Sequence, residues 1–278
     1  MMYQKTKSFF LFRWSMMILI VLFAAFPVFF VLISSFKHPM EIFQYPPKFF
    51  FTPTLENYSS LGSDWPIFFR SMWQSVLAAF GSSLITILLT MPAGYALSRS
   101  KSRIINGSAF FMLAVRMYPP IVLTVPLFPI FSRLGLVDTY WVLLILYSTF
   151  FISLSSWLMK TYMDDVPVEL EEAARIDGAS PWQVVTKIVL PLSIHGIIAT
   201  FVFVTIFAWK EYTIGFIFTG TKIRTAPLIL SEMLSPVTGV SWGPLFAAVT
   251  LQLLPIIVFI WFVQSYLVKG MRSGAVKG

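Results

Sequence analysis

The chain has 278 residues, 57% of them hydrophobic and only 12% charged, with a mean hydropathy of +0.80, which excludes an ordinary water-soluble domain. Its net charge of +8 sits at the ends of apolar runs rather than along one stripe, which argues for a lipid bilayer and against nucleic acid as partner. With no cysteine it has no disulfide framework, no thiolate nucleophile and no Cys-type zinc site, and His38 and His195 are too few and too isolated for a metal cluster.

Residues 14–33 are an uncharged apolar run behind Lys5, Lys7 and Arg13; too long for a signal-peptide core, they predict an uncleaved first span. Residues 34–70 are polar, aromatic and rich in proline, and predict an ordered external loop. A second span is expected over 72–97, closed by Arg99, Lys101 and Arg103. The third, 109–131, contains Arg116 and is broken by Pro119, Pro120, Pro126 and Pro129. The fourth is 140–159. The fifth, 194–218, is interrupted by Lys210-Glu211, and the sixth, 245–268, holds Pro255. Each meets or approaches the ~20 residues that cross ~30 Å of hydrocarbon at ~1.5 Å per residue. The expected fold is all-α, a single polytopic domain with six transmembrane helices. Both termini then lie on one side. The excess of Lys and Arg there puts them, the stretch 160–193 and the tail 269–278 in the cytoplasm.

Between the fourth and fifth spans lies an acidic island. Pro167 suits the first turn of a helix, and Glu169, Glu171 and Glu172 follow where the helix dipole favours carboxylates. Ala173 and Ala174 continue the helix, and Gly178 ends it because glycine takes the left-handed conformation without a Cβ clash. Ser180, Pro181 and Gln183 stand at the Ncap, N1 and N3 positions of a second helix, a capping box. Leu170, Ala173, Ala174 and Asp177 share one small face by helical spacing. Helices that rest on lipid headgroups are rich in Lys and Arg, whereas residues 164–177 carry six carboxylates against Arg175 alone, so this face suits a protein partner.

No phosphate-cradling G-x-x-x-x-G-K-[ST] loop and no dinucleotide fingerprint occur, and no paired-carboxylate or Ser-His constellation reads as catalytic. Energy for any driven transport must come from another molecule. Glu172-Ala173-Ala174, Gly178 and Ile188-Val189-Leu190-Pro191 resemble, in spacing and position, the EAA signature of permease subunits of binding-protein-dependent ABC importers. Residues 119–128 (PPIVLTVPLF), Gly135-Leu136, Arg224-Thr225, Trp242-Gly243 and the ending from Lys269 are similar to the carbohydrate-uptake branch, as in the smaller permease of maltose-type transporters. The resemblance covers nearly the whole chain. It implies a type I importer fold and three kinds of partner beyond the bilayer: a second permease, a pair of ATPase subunits, and an external sugar-binding protein. It also implies that this chain binds no cofactor and that ATP and Mg²⁺ are held by the ATPases. Carried over residue by residue, Glu171, Glu172, Ala173, Ala174, Asp177 and Gly178 would form the joint with the ATPase, and the tail would touch the ATPase pair rather than fray.

Arg116 is costly inside a membrane; it either makes a salt bridge, snorkels to the headgroups or borders the route. Tyr118 is forced away from helical geometry by Pro119, a break tolerated in hydrocarbon only where it lines a cavity or is covered by protein. Where the family carries Trp-Asn-acidic, this chain has Trp209-Lys210-Glu211; the two charges form an internal ion pair, anchor at the interface, or polarise the external end of the pathway. The alternative function is a self-sufficient secondary transporter or channel that uses Arg116, Lys210 and Glu211 as a relay.

Overall fold

The computed structural model describes residues 7–235 and 239–275, with side chains for 9–235 and 239–265. In chain order the elements are α1 (Lys7–Ser35), a 3-10 turn (Pro39–Glu41), α2 (Glu56–Asp64), α3 (Ile67–Arg99), α4 (Arg103–Arg116), α5 (Pro120–Arg133) and α6 (Tyr140–Asp164). Then come α7 (Val168–Ile176), α8 (Pro181–Val184), a π turn (Val185–Val189), α9 (Leu190–Leu192), α10 (Ile194–Trp209), α11 (Thr213–Phe218), α12 (Ala226–Met233) and α13 (Trp242–Ala275). No strand occurs among the described residues.

Four helices, α1, α3, α6 and α13, are long and apolar enough to cross a membrane, and the count rises to six if each of two bent pairs is one span. The first bent pair is α4 and α5, which meet at 94°. Pro119 and Pro120 lack the N–H groups that would continue α4, whereas Pro126 and Pro129 lie inside α5 without ending it. The second pair joins Pro181–Leu192 to α10 at 72°. The fifth expected span is shorter than 194–218 as a helix: α10 stops at Trp209, and residues 210–212 separate it from α11. α13 carries its helix to Ala275, past residue 268; the end of the tail, 276–278, lies outside the described residues.

The chain divides into two compact units. One comprises residues 1–68 and 230–254. There Asn57, fully buried, donates through Nδ2 to the carbonyls of Ser35 (2.9 Å) and Lys37 (2.7 Å), tying α2 to the end of α1. Phe43 packs edge-on against Trp242 at 5.1 Å between ring centroids.

The other unit comprises residues 69–229 and 255–278. Its core gathers Leu143, Tyr147, Phe151, Val204 and Phe218 around the small residues Ala78 and Ala79 of α3. Close helix approach explains the small side chains. A Cβ at Gly94 would stand 2.6 Å from Met159 Cβ, and one at Gly196 only 2.1 Å from Tyr162 Cγ, so α6 is pressed against both α3 and α10.

Candidate functional site

α7 opens after Pro167, which takes the N-cap position rather than the first helical turn, and Glu169 and Glu171 stand in its first turn. At its other end the Asp177 N–H donates to Ala173 O (3.0 Å), Gly178 N–H to Arg175 O (3.1 Å) and Ala179 N–H to Ala174 O (2.9 Å), which satisfies the last carbonyls of the helix. Gly178 has φ +85°, the left-handed corner its residue type suggests. The next helix starts with both halves of a capping box: Gln183 N–H donates to Ser180 Oγ (3.3 Å) and Ser180 N–H to Gln183 Oε1 (2.8 Å).

The four-residue face inferred from spacing is split. Ala174 turns inward against the cluster of Ile87, Met159, Met163, Val184 and Val189, while Leu170, Ala173 and Asp177 face outward with Glu172 and Gly178. Two residues that spacing missed dominate the outer surface. Ile176 is 86% exposed and Trp182 75% exposed, one on each side of the Gly178 corner. Their signal in the sequence was weak: a large apolar residue on either side of a polar turn.

Glu171 is buried, at 2% exposure. Its Oε1 accepts from Arg99 Nε at 2.7 Å and its Oε2 from Tyr95 OH at 2.8 Å. Arg99 also donates through Nη2 to Val166 O (2.9 Å) and through Nη1 to Ser98 Oγ (2.8 Å), and Ser98 Oγ donates to Asp164 Oδ1 (2.6 Å). Both carboxylate oxygens of Glu171 are thus engaged within the chain, and the group binds α7 to the end of α3 rather than facing outward with Glu172.

The intramembrane charges are organised by rings. Arg116, at the C-terminal end of α4 where the helix dipole favours a cation, has its guanidinium carbon 5.5 Å from the Phe150 ring centre and 5.9 Å from those of Phe151 and Phe203. No carboxylate pairs with it among the described residues, and its buried Nη1 has no hydrogen-bond partner. It lines a cavity of about 310 Å³ with Val115, Pro120, Thr124, Phe150 and Ser153. Tyr118 and Pro119, at the break, are exposed. Lys210 Nζ lies 4.2 Å from the centre of Phe207, whose ring stands 4.6 Å from that of Phe203. Arg116 and Lys210 therefore flank one tilted aromatic pair, Phe203 and Phe207. Glu211 is not Lys210's partner among the described residues; it accepts from the N–H groups of Ile214 (3.0 Å) and Gly215 (3.3 Å) and caps α11.

A further anchor was missed altogether. Asp138, with φ +60°, accepts from four consecutive backbone N–H groups: Gly220 (2.8 Å), Thr221, Lys222 and Ile223 (each 3.0 Å). Partial burial pushes its carboxyl up, but the four donors outweigh this and hold it below the usual aspartate value. The loop so formed is gripped by α3: Gln74 Nε2 donates to Lys222 O (3.0 Å), Arg224 N–H to Gln74 Oε1 (2.9 Å) and Ala226 N–H to Ser75 Oγ (2.8 Å).

The family model described as binding-protein-dependent transport system inner membrane component matches residues 86–273, a stretch that contains the α7 corner, the Glu171 tether and the Asp138 loop. The chain belongs to that family. It is a multi-pass inner-membrane permease of an ABC importer that works with other ABC components, ATP hydrolysis belonging to a separate subunit. Membership favours the importer over the self-sufficient transporter.

Similar proteins span the permease almost end to end. A probable ABC transporter permease, y4oR of Sinorhizobium fredii, is 35% identical over 91% of this chain and 90% of its own length. The trehalose/maltose transport system permease MalG of Thermococcus litoralis is 32% identical over 94% of each chain. Among solved structures, a chain of a bacterial ABC transporter that imports the acidic polysaccharide alginate superposes with a TM-score of 0.75 at 21% identity, over 96% of this chain and 99% of that one. A chain of the MetNI methionine transporter, in an inward-facing form, reaches 0.57 at 18% identity over 78% and 99%.

Proposed function

We propose that this permease forms half of the translocation pathway of an ATP-driven carbohydrate importer. It stands beside a second permease, above two ATPase subunits that hold ATP and Mg²⁺, and below an external sugar-binding protein. The carbohydrate substrate is supported by the trehalose/maltose permease of Thermococcus litoralis and the trehalose permease SugB of Mycobacterium tuberculosis, 33% identical over 82% of this chain.

The observation that carries the reading is the α7 corner. Ile176 and Trp182 expose large apolar side chains on either side of a capped turn, and Glu172, Ala173, Asp177 and Gly178 of the same segment are exposed with them. Exposed apolar side chains among carboxylates suit a groove on a protein, and closure of that groove would push α7. This side of the membrane is the cytoplasmic one by the distribution of Lys and Arg. Alternating access then follows from rigid helices biased by the differential binding of ATPase and binding protein to each state.

The test is a cysteine at Ile176 in the reconstituted importer. A disulfide crosslink to a cysteine-bearing ATPase subunit, formed in stoichiometric yield and locking ATP turnover, is the expected result. Labelling of Ile176→Cys by a membrane-impermeant reagent from outside the cell would overturn it.

A further inference from the structure

Both ends of α3 are tied by polar side chains to other parts of its unit, and its middle makes two further bonds, to α10 and α6. At one end Arg99 and Tyr95 take both oxygens of Glu171, and Arg99 adds the Val166 carbonyl, so α7 cannot shift away without pulling on α3. At the other end Gln74 pairs with the backbone of both Lys222 and Arg224, and Ser75 accepts from Ala226. Gln74 and Ser75 are each 3% exposed, and the loop they hold is pre-shaped by Asp138. Gln74 and Arg99 are 25 residues apart in one helix that continues through Pro92, about 38 Å at ~1.5 Å per residue.

The middle of α3 carries Ala78, Ala79, Ser82, Ser83, Thr86 and Thr90, all buried. Their hydroxyls mostly bond α3 itself: Ser83 and Ser82 to Ala79 O, Thr86 to Ser82 O and Thr90 to Thr86 O. The sideways bonds are Ser83 with Thr205 (2.9 Å) and Ser148 to Ser82 O (3.2 Å). Short side chains let the neighbouring helices approach the middle of α3 closely, a Cβ at Gly81 standing 2.7 Å from Leu144 Cδ2, so the helix is packed along its length and held by polar side chains at both ends.

We propose that α3 is the tie rod of this permease: Glu171 passes displacement of α7 to Arg99 and Tyr95, and α3 delivers it to the loop 220–226 on the opposite face of the membrane. This rests on the reading that α7 meets the ATPase. Glu171 is then a positioning residue rather than a docking one. Its two oxygens are already committed inside the chain, and a partner would find Glu172 instead.

The test uses the complete importer in nanodiscs, with Thr221→Cys carrying a nitroxide and vanadate used to trap the ATP-bound state. In the otherwise unaltered complex the Thr221 spectrum is expected to change on trapping and the loaded binding protein to stimulate ATP turnover; an unchanged spectrum beside normal stimulation would overturn the tie rod. Glu171→Gln is expected to retain stoichiometric ATPase subunits, lose the spectral change and lower the stimulation at least tenfold. Tyr95→Phe, which keeps the ion pair, gives a smaller loss. Gln74→Ala, remote from α7, gives the same uncoupling with the ATPase contact untouched, and it serves as the readout if Glu171→Gln does not assemble. A normal Thr221 response and normal stimulation in Glu171→Gln, or in Gln74→Ala, would overturn the tie rod. Failure of the unaltered permease to retain any ATPase would instead overturn the importer reading.

Discussion

Replacing Asp138 by alanine removes the side chain that gathers the four N–H groups of residues 220–223. The loop is partly wet, so water recovers much of each bond, and a net ~1 kcal/mol per bond gives ~4 kcal/mol. Alanine must also hold the φ of +60° that Asp138 adopts, a further cost of ~1 kcal/mol for a residue without a short polar side chain. A local opening made easier by ~5 kcal/mol corresponds to amide exchange faster by about four-thousandfold, at ~1.4 kcal/mol per factor of ten. Asp138→Asn would keep the left-handed corner and one oxygen, losing about two bonds and speeding exchange by roughly thirtyfold. Hydrogen–deuterium exchange followed by mass spectrometry on a peptide covering 219–226, with a peptide from α7 as the internal control, reads both changes. Unchanged exchange of the 219–226 peptide in Asp138→Ala would show that Gln74 and Ser75 alone hold the loop and refute the assignment.

The same carboxylate predicts a pH dependence: its folded pKa is lowered, so its contribution is complete above the ordinary aspartate value of ~3.9 and is lost as pH falls through the lowered one. Exchange at 219–226 should therefore be flat, after correction for intrinsic rates, from about pH 7 to about pH 5 and rise only in stronger acid; a rise near pH ~6 would point to a different group. Gly196→Ala puts a methyl 2.1 Å from Tyr162 Cγ and should destabilise the folded permease by ~1–3 kcal/mol, read as a fall in the melting temperature of the detergent-solubilised complex. Gly178→Val forces a β-branched residue to φ +85° and should cut uptake and ATPase retention, whereas Gly178→Asn should keep most of both; equal loss in the two would show that the corner's handedness is not what matters. Arg116→Met removes an intramembrane charge whose Nη1 has no partner and should raise the melting temperature while lowering uptake; a fall would mean that the ring contacts outweigh desolvation.

The parts of the site that the sequence disclosed are those whose chemistry is local. Gly178, Ser180, Pro181 and Gln183 act on their own neighbours, so the corner and the capping box could be read from their order alone. Pro119 and Pro120 likewise announced the break in the third span. Which side of α7 turns inward was not local. It depends on Arg99 and Tyr95, on a helix more than 70 positions earlier, and Ala174 follows Glu171 inward because the two lie one turn apart. Of the three readings of Lys210-Glu211, the internal ion pair does not form, for a geometric reason: adjacent residues point in different directions, and Glu211 instead accepts from the N–H groups at the start of α11. Asp138 was hidden because its four partners come from a loop 82 to 85 residues later, and a single aspartate carries no pattern.

A methyl built on the α-carbon of Gly178 meets nothing within 4 Å, so crowding plays no part in excluding side chains there; chirality does. A d-alanine introduced by semisynthesis would fit the open space and the positive φ together. By restricting the unfolded chain it should make the turn stiffer than the natural glycine does, a gain on the order of 0.4–1 kcal/mol. The position resists most natural side chains by handedness and stays open to a mirror-image one.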